Sequence, residues 1–158
     1  MSGYGNKKKD AFLAALPTTS LDSRTDLLTE KCKFNFGYFT VQEAGQNFSE
    51  WDENALCRLL DCLKQYSQSS LKYWMGQRVL SIYGGFPKNS DFSHPAHVPH
   101  EAQWGRFRLA SAVRLVGFVV PGHCDEKRHQ GTGRLFDANT FYVVFLDADH
   151  RFYKTELR

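Results

Sequence analysis

Arg106 and Arg108 stand two residues apart in Trp104-Gly-Arg-Phe-Arg-Leu109, a segment that reads as a β-strand. Side chains alternate along a strand, so both guanidinium groups share one face while Phe107 and Leu109 take the other. A turn of three residues, Ala110 to Ala112, then pairs Leu109 with Val113 and sets Arg108 opposite Arg114 on the next strand. Like charges facing each other across a ladder are destabilising, so the arrangement calls for an anion or a carboxylate between them. Phosphate suits it well. Arginine offers a planar fork of donors, stays charged at physiological pH, and can both grip a phosphodiester and stabilise charge developing on it. The competing reading is a solvated basic face, or arginines paired with Asp147 or Asp149.

A second group lies just past the last strand, in Asp147-Ala-Asp-His-Arg-Phe-Tyr153. His150 exchanges protons near neutral pH, and Tyr153 does so when its surroundings lower its pKa, which RNA cleavage by the 2′-hydroxyl would require. A strand end beside a loop is good catalytic ground. Against this stands the ordinary role of a late tyrosine as an amphipathic lid on the core. Charge agrees with an anionic partner here: residues 104–158 hold nine Lys/Arg against six Asp/Glu, which accounts for the whole net charge of +3.

The elements that must position these residues are legible as periodicities. Phe34 to Val41 alternates aromatic with small or polar residues and predicts a first strand. A helix follows, with Ser49 as its expected N-cap, Glu50, Asp52 and Glu53 at its positive end, and a core stripe of Leu56, Leu59, Leu60 and Leu63. Ser69 or Ser70 caps a second short helix carrying Leu71, Trp74 and Met75. Val79 to Tyr83 predicts a short strand that Gly84-Gly85 stops. Residues 86–103, with Pro87, Pro95 and Pro99, are excluded from regular helix or central strand and form a long ordered loop. Trp104–Leu109, Val113–Val120 and Thr140–Leu146 are three strands, the last central because it is nearly continuous in apolar residues. Pro121 to Asn139 projects as a loop. Residues 1–31 are a loosely attached arm, or a late-docking helix capped by Ser20 or Ser23 that runs through Leu27 and Leu28.

The chain of 158 residues supports one core rather than two, so 32–158 is expected to be a single domain. At 42% hydrophobic residues with thirteen Phe, wholesale disorder is excluded. Apolar runs such as Phe141 to Leu146 are far below the ~20 residues of a spanning helix, so no membrane association is expected. Lys7–Lys9 before Ala11–Leu16 mimics a signal peptide, but the apolar stretch is short and Asp10 precedes it. Cys32, Cys57, Cys62 and Cys124 form neither a CxxC pair nor a framework spacing. A cytoplasmic setting is the expectation.

The run Trp104-Gly-Arg-Phe-Arg-Leu, then Val113-Arg-Leu-Val-Gly-Phe-Val-Val120, then an apolar strand closing in His150-Arg-Phe-Tyr153, resembles the RelE/ParE toxin superfamily. The resemblance spans residues 34–154 and is diagnostic in 104–120 and 140–153. It implies an α+β fold, an antiparallel or mixed sheet of about four to five strands backed by two N-terminal helices, with the arm and the long loops as departures from the family pattern. It further implies a metal-independent endoribonuclease that cuts mRNA, with or without the ribosome, needs no cofactor, and is covered by an antitoxin protein. Arg106 and Arg108 match the family's alternating basic pair and would bind the phosphate. Arg114 matches the arginine opening its next strand, Arg151 the arginine after its last strand, Tyr153 the aromatic that follows, and His150 a histidine found there in some members. These four carry the catalytic roles.

Other constellations compete. His94, His97 and His100 with His123, Cys124 and His129 raise zinc, but Pro95 and Pro99 bar the helix that would gather the first three, and no finger spacing is present. The alternative places His97 or His100 near the arginines over the sheet. Gly131-Thr-Gly133 lacks the ending of a phosphate-cradling loop. Tyr38, Phe39, Trp51, Tyr73 and Trp74 could stack bases, although core packing explains aromatics more often. The alternative function is a non-catalytic module that binds a protein or nucleic acid through the same basic groove.

Overall fold

The computed structural model describes residues 5–16 and 19–154. In chain order its regular elements are α1 (Lys7–Ala15), β1 (Lys33–Asn35), α2 (Glu53–Tyr66), α3 (Leu71–Gly76), β2 (Leu80–Gly84), β3 (Gln103–Arg108), β4 (Arg114–Val119) and β5 (Thr140–Asp147). The five strands form one mixed sheet in the order β1-β5-β4-β3-β2. β1 runs parallel to β5 and every other pair is antiparallel. The fold is α+β, with β4 and β5 inside the sheet and almost wholly buried.

Two aromatic-rich layers cover the two faces. On one, Leu59 and Tyr66 of α2 and Leu71 and Trp74 of α3 pack on Phe107, Leu115, Phe141, Val143 and Leu146. Tyr66 stacks on Phe107 with centroids 4.9 Å apart, and its hydroxyl donates to the Arg108 carbonyl. α2 therefore grips the strand that carries the basic pair. On the other face Trp104, Phe118 and Phe145 meet Phe92 and Val98 of the 86–102 segment and Phe152 from beyond β5. That segment is held by Gln42, whose amide exchanges two 2.8 Å hydrogen bonds with the backbone of Ser93. The proline-rich stretch is thus an ordered cover for the sheet.

Local chemistry explains where the elements depart from their sequence signals. The expected strand over 34–41 is only three residues long, because the Asn35 side chain accepts from Gly37 N at 2.8 Å and a turn closes from Phe39 N to Phe36 O. Turn formation by Asn before Gly overrides aromatic alternation. Ser49 does not cap α2. It lies in a 3₁₀ turn that starts from a reciprocal Asn47–Glu50 box, and Asp52 caps the helix by accepting from Ala55 N at 2.7 Å. Leu60, expected in the core stripe, is 64% exposed. The stripe instead passes through Leu59, Cys62 and Leu63 to Tyr66. Ser70 caps α3 as expected.

In the N-terminal segment the helix sits at 7–15 rather than over 20–28, and none of its residues is buried. Ser23 accepts from Asp26 N in a local turn. The segment is tied to the loop before β5 near residue 30, where Asn139 donates to the Glu30 carbonyl. No helix among the described residues is long and apolar enough to cross a membrane. All four cysteines are free thiols.

Candidate functional site

The β3–β4 ladder sets Arg108 opposite Arg114 and Arg106 opposite Val116, and Leu109 N donates to Val113 O at 3.1 Å. This is the register a three-residue turn dictates, so the basic triad is assembled by backbone pairing. Arg108 is exposed, Arg106 half-buried and Arg114 buried. Arg114 also closes the turn it follows: its Nη1 donates to the carbonyls of Ala110, Ser111 and Val113 at 2.8, 2.8 and 2.9 Å. Burial pushes its pKa down, and the charges of Arg106 and Arg108 push the same way.

None of the three arginines forms an ion pair among the described residues. The carboxylate that faces Arg114 across the β4–β5 ladder is Asp147, which is only 1% exposed. Its two oxygens are occupied by the backbone: Oδ1 accepts from Arg151 N at 2.9 Å and Oδ2 from Phe152 N at 2.8 Å. Asp147 reaches this face because of an irregularity in pairing. Val116 pairs with Phe145 and Gly117 with Val143, leaving Val144 as an extra residue. The bulge reverses the alternation beyond it, which turns Phe145 and Asp147 away from the helical layer and sends Leu146 into it.

The turn capped by Asp147 delivers His150. Its backbone is left-handed, with φ of 57°, a conformation uncommon outside glycine but visited more readily by histidine than by most residues. Arg106 Nη1 donates to His150 Nε2. Arginine has no acceptor, so that ring nitrogen bears the lone pair and the neutral ring carries its proton on Nδ1. Burial holds the His150 pKa below its ordinary value, with Arg106 and then Arg114 acting in the same direction. The imidazole is therefore neutral at physiological pH.

Two tyrosines complete the corner. Tyr153 stacks face to face on Tyr83 at 4.5 Å, and the Arg106 guanidinium carbon lies 5.7 Å from the centroid of the Tyr83 ring. Sequence periodicity placed Tyr83 at the end of a strand and assigned it no role. The signal that could have found it is the Gly84-Gly85 pair beside it, since glycine next to a strand end often marks a bulge.

The other expected site residues are elsewhere. Arg151 turns away to Asp91, with its Nε 2.9 Å from Oδ2. Lys154 shares the same carboxylate, so Arg151 pins the covering segment to the C-terminal turn. His97 hydrogen-bonds the Tyr38 carbonyl at 3.0 Å, and His94 packs between Phe86, Trp104 and His100. They do not join the arginines. Among the described residues no group of three or more His, Cys, Asp or Glu is gathered to hold a metal ion. Of the five aromatics with base-stacking potential, Trp74 is buried in the helical layer and Trp51 and Phe39 pack against it, whereas Tyr73 is 49% exposed.

No protein-family model matches the chain, and neither a curated protein nor a solved structure does.

Proposed function

We propose that this chain is a metal-independent endoribonuclease of the RelE/ParE type, acting on mRNA. One observation carries the reading: three arginines meet at one corner of the sheet without an ion pair among the described residues, while the carboxylate across the ladder is engaged by backbone N–H groups. Unpaired like charges held this close by a ladder favour an anion between them. A phosphodiester is the anion whose cleavage the adjacent groups can serve.

In this reading Arg106 and Arg108 bind the non-bridging oxygens of the scissile phosphate. Arg114, fixed by the turn carbonyls, adds charge that stabilises the pentavalent transition state in a partly desolvated corner. When Arg106 turns to the phosphate it frees His150 Nε2, and the neutral imidazole takes the proton of the 2′-hydroxyl as that oxygen attacks phosphorus. Arg151 acts at one remove, by holding the turn that presents His150. An antitoxin segment rich in acidic residues would cover the same corner.

A non-catalytic binding module is favoured by one feature. His150 is already engaged by Arg106, so no base is free until a ligand displaces that contact. Tightly induced expression of the parent and of Arg106→Ala, with transcripts mapped for new 5′ ends, separates the two. The parent is expected to arrest growth and produce new ends, and the variant to produce on the order of 100-fold fewer. Neither arrest nor new ends from the parent would leave the binding module as the surviving reading, because intact cells supply the ribosome.

A further inference from the structure

The corner holds a polar group that the scheme above leaves unused. Tyr83 is the residue in β2 without a ladder partner: Ile82 pairs with Gly105 and Gly84 with Trp104, so Tyr83 is the extra residue of a bulge. Bulges re-aim side chains and recur beside active sites. The Tyr83 ring is sandwiched by Tyr153 on one face and approached by the Arg106 guanidinium. Its hydroxyl oxygen is buried and has no hydrogen-bond partner among the described residues.

That hydroxyl is unsatisfied in a particular sense. The charged groups around it are Arg106, near enough to be a weak donor to the phenol oxygen though outside good hydrogen-bond geometry, and Arg114, and arginine donates without accepting. Even a guanidinium swung onto the phenol oxygen would leave the hydroxyl hydrogen with nothing to bond. Leaving a buried donor unmade costs about 1–3 kcal/mol, so the hydroxyl calls for an acceptor from outside the chain, a water at rest and a ligand oxygen in the complex. In a corner lined by arginines that acceptor is an anionic or strongly basic oxygen.

Resting on the ribonuclease reading, we infer that Tyr83 is the general acid of this site and delivers its phenolic proton to the departing 5′-oxygen of the scissile linkage. The 2′-oxygen forms a bond to phosphorus and gives its proton to His150 Nε2. The bond from phosphorus to O5′ breaks, its electron pair goes to O5′, and the Tyr83 proton closes that oxygen to a hydroxyl. The products are a 2′,3′-cyclic phosphate and a 5′-hydroxyl end. Imidazolium and tyrosinate are then reset by one proton exchanged through solvent. Burial pushes the Tyr83 pKa up to about 12, against the opposing pull of Arg106. The phenol is thus fully protonated before the step and is a weak acid matched to a strongly basic alkoxide.

The test uses the whole chain and an mRNA carrying the linkage mapped in cells, with ribosomes supplied, made either with the natural O5′ or with sulfur in its place. A thiolate leaves without protonation, so a variant lacking only the acid recovers on the sulfur substrate. Tyr83→Phe keeps the ring stack and removes an unpartnered hydroxyl, so its Tm should match or exceed that of the parent. The expected result is a loss on the order of 100-fold on the oxygen substrate and cleavage within about threefold of the parent on sulfur. Equal cleavage of the oxygen substrate by parent and variant, an undiminished defect on sulfur, or a clear fall in Tm would each overturn the assignment to Tyr83 while leaving the ribonuclease reading intact. A parent that cuts neither substrate removes that reading itself, and the role of Tyr83 with it.

Discussion

His150 combines a strained backbone with a depressed pKa, and the two properties can be separated by substitution. At a φ of 57° glycine is free of the strain that any side chain meets. His150→Gly should therefore fold with a stability within about 1 kcal/mol of the parent and, on the proposed ribonuclease reading, lose cleavage, whereas a purely structural histidine would show the reverse. The pH dependence follows from linkage. The folded-state pKa lies below the ordinary 6.5, so the unfolded chain binds the proton more readily, and stability attached to this group is complete above about pH 6.5 and declines as pH falls through it. Urea unfolding at about pH 7.5 and about pH 5.5 should show a larger loss in the parent than in His150→Gly. Asp147 gives a third outcome at this scale. Removing its carboxylate exposes two backbone donors to a dry site, so Asp147→Ala should cost at least about 2–3 kcal/mol in thermal or urea unfolding.

At the scale of elements, the two bulges decide which side chains face the arginines. Gly117 makes the β5 bulge sterically feasible: a Cβ there would lie 2.0 Å from the Tyr142 carbonyl oxygen and 2.8 Å from Cε1 of Phe141. Both neighbours are held in place, since Tyr142 is part of the ladder and Phe141 is fully buried. Gly117→Ala should destabilise by about 3 kcal/mol or more, measured by chemical unfolding, because the ladder must shift to admit one methyl group. The hairpin turn has a comparable dependence on Arg114. Its three bonds to turn carbonyls mean that Arg114→Ala loosens the turn as well as removing charge. Arg106 is the cleaner probe of the proposed function for that reason, since among the described residues its side chain bonds His150 and not a backbone carbonyl.

Across the whole molecule, the arginine corner is bounded by a second aromatic layer that the helices do not build. Phe152 is fully buried among Trp104, Phe86, Phe92 and Phe145, and its neighbour Tyr153 is the residue stacked on Tyr83. Phe152→Ala should cost about 3–5 kcal/mol and release the stack, which near-ultraviolet circular dichroism would register as lost aromatic signal. The opposite end of the chain behaves differently. No residue of α1 is buried, so removing residues 1–16 should leave the Tm within about 2 °C of the parent.

Sequence alone determined the parts of this protein governed by local periodicity. The alternation around Arg106 and Arg108, together with a turn of countable length, was sufficient to place Arg108 opposite Arg114, because ladder pairing is set by the number of residues in the turn. The strands from β2 onward, and α3 with its Ser70 cap, were legible for the same reason. Short-range chemistry of equal strength misled where two signals overlapped: the Asn35–Gly37 turn cut β1 short, and Asp52 displaced Ser49 as the cap of α2. Tertiary structure decided the remainder of the site. Strand periodicity contains no signal for the extra residue at Val144 that turns Asp147 toward the basic face, nor for the one at Tyr83 that adds a phenol to it. Arg151 and His150 are adjacent in sequence, yet one is held by Asp91 and the other by Arg106. Which of two neighbouring side chains enters a site depends on the left-handed turn between strand and core, and the contacts that hold that turn come from residues distant in the chain.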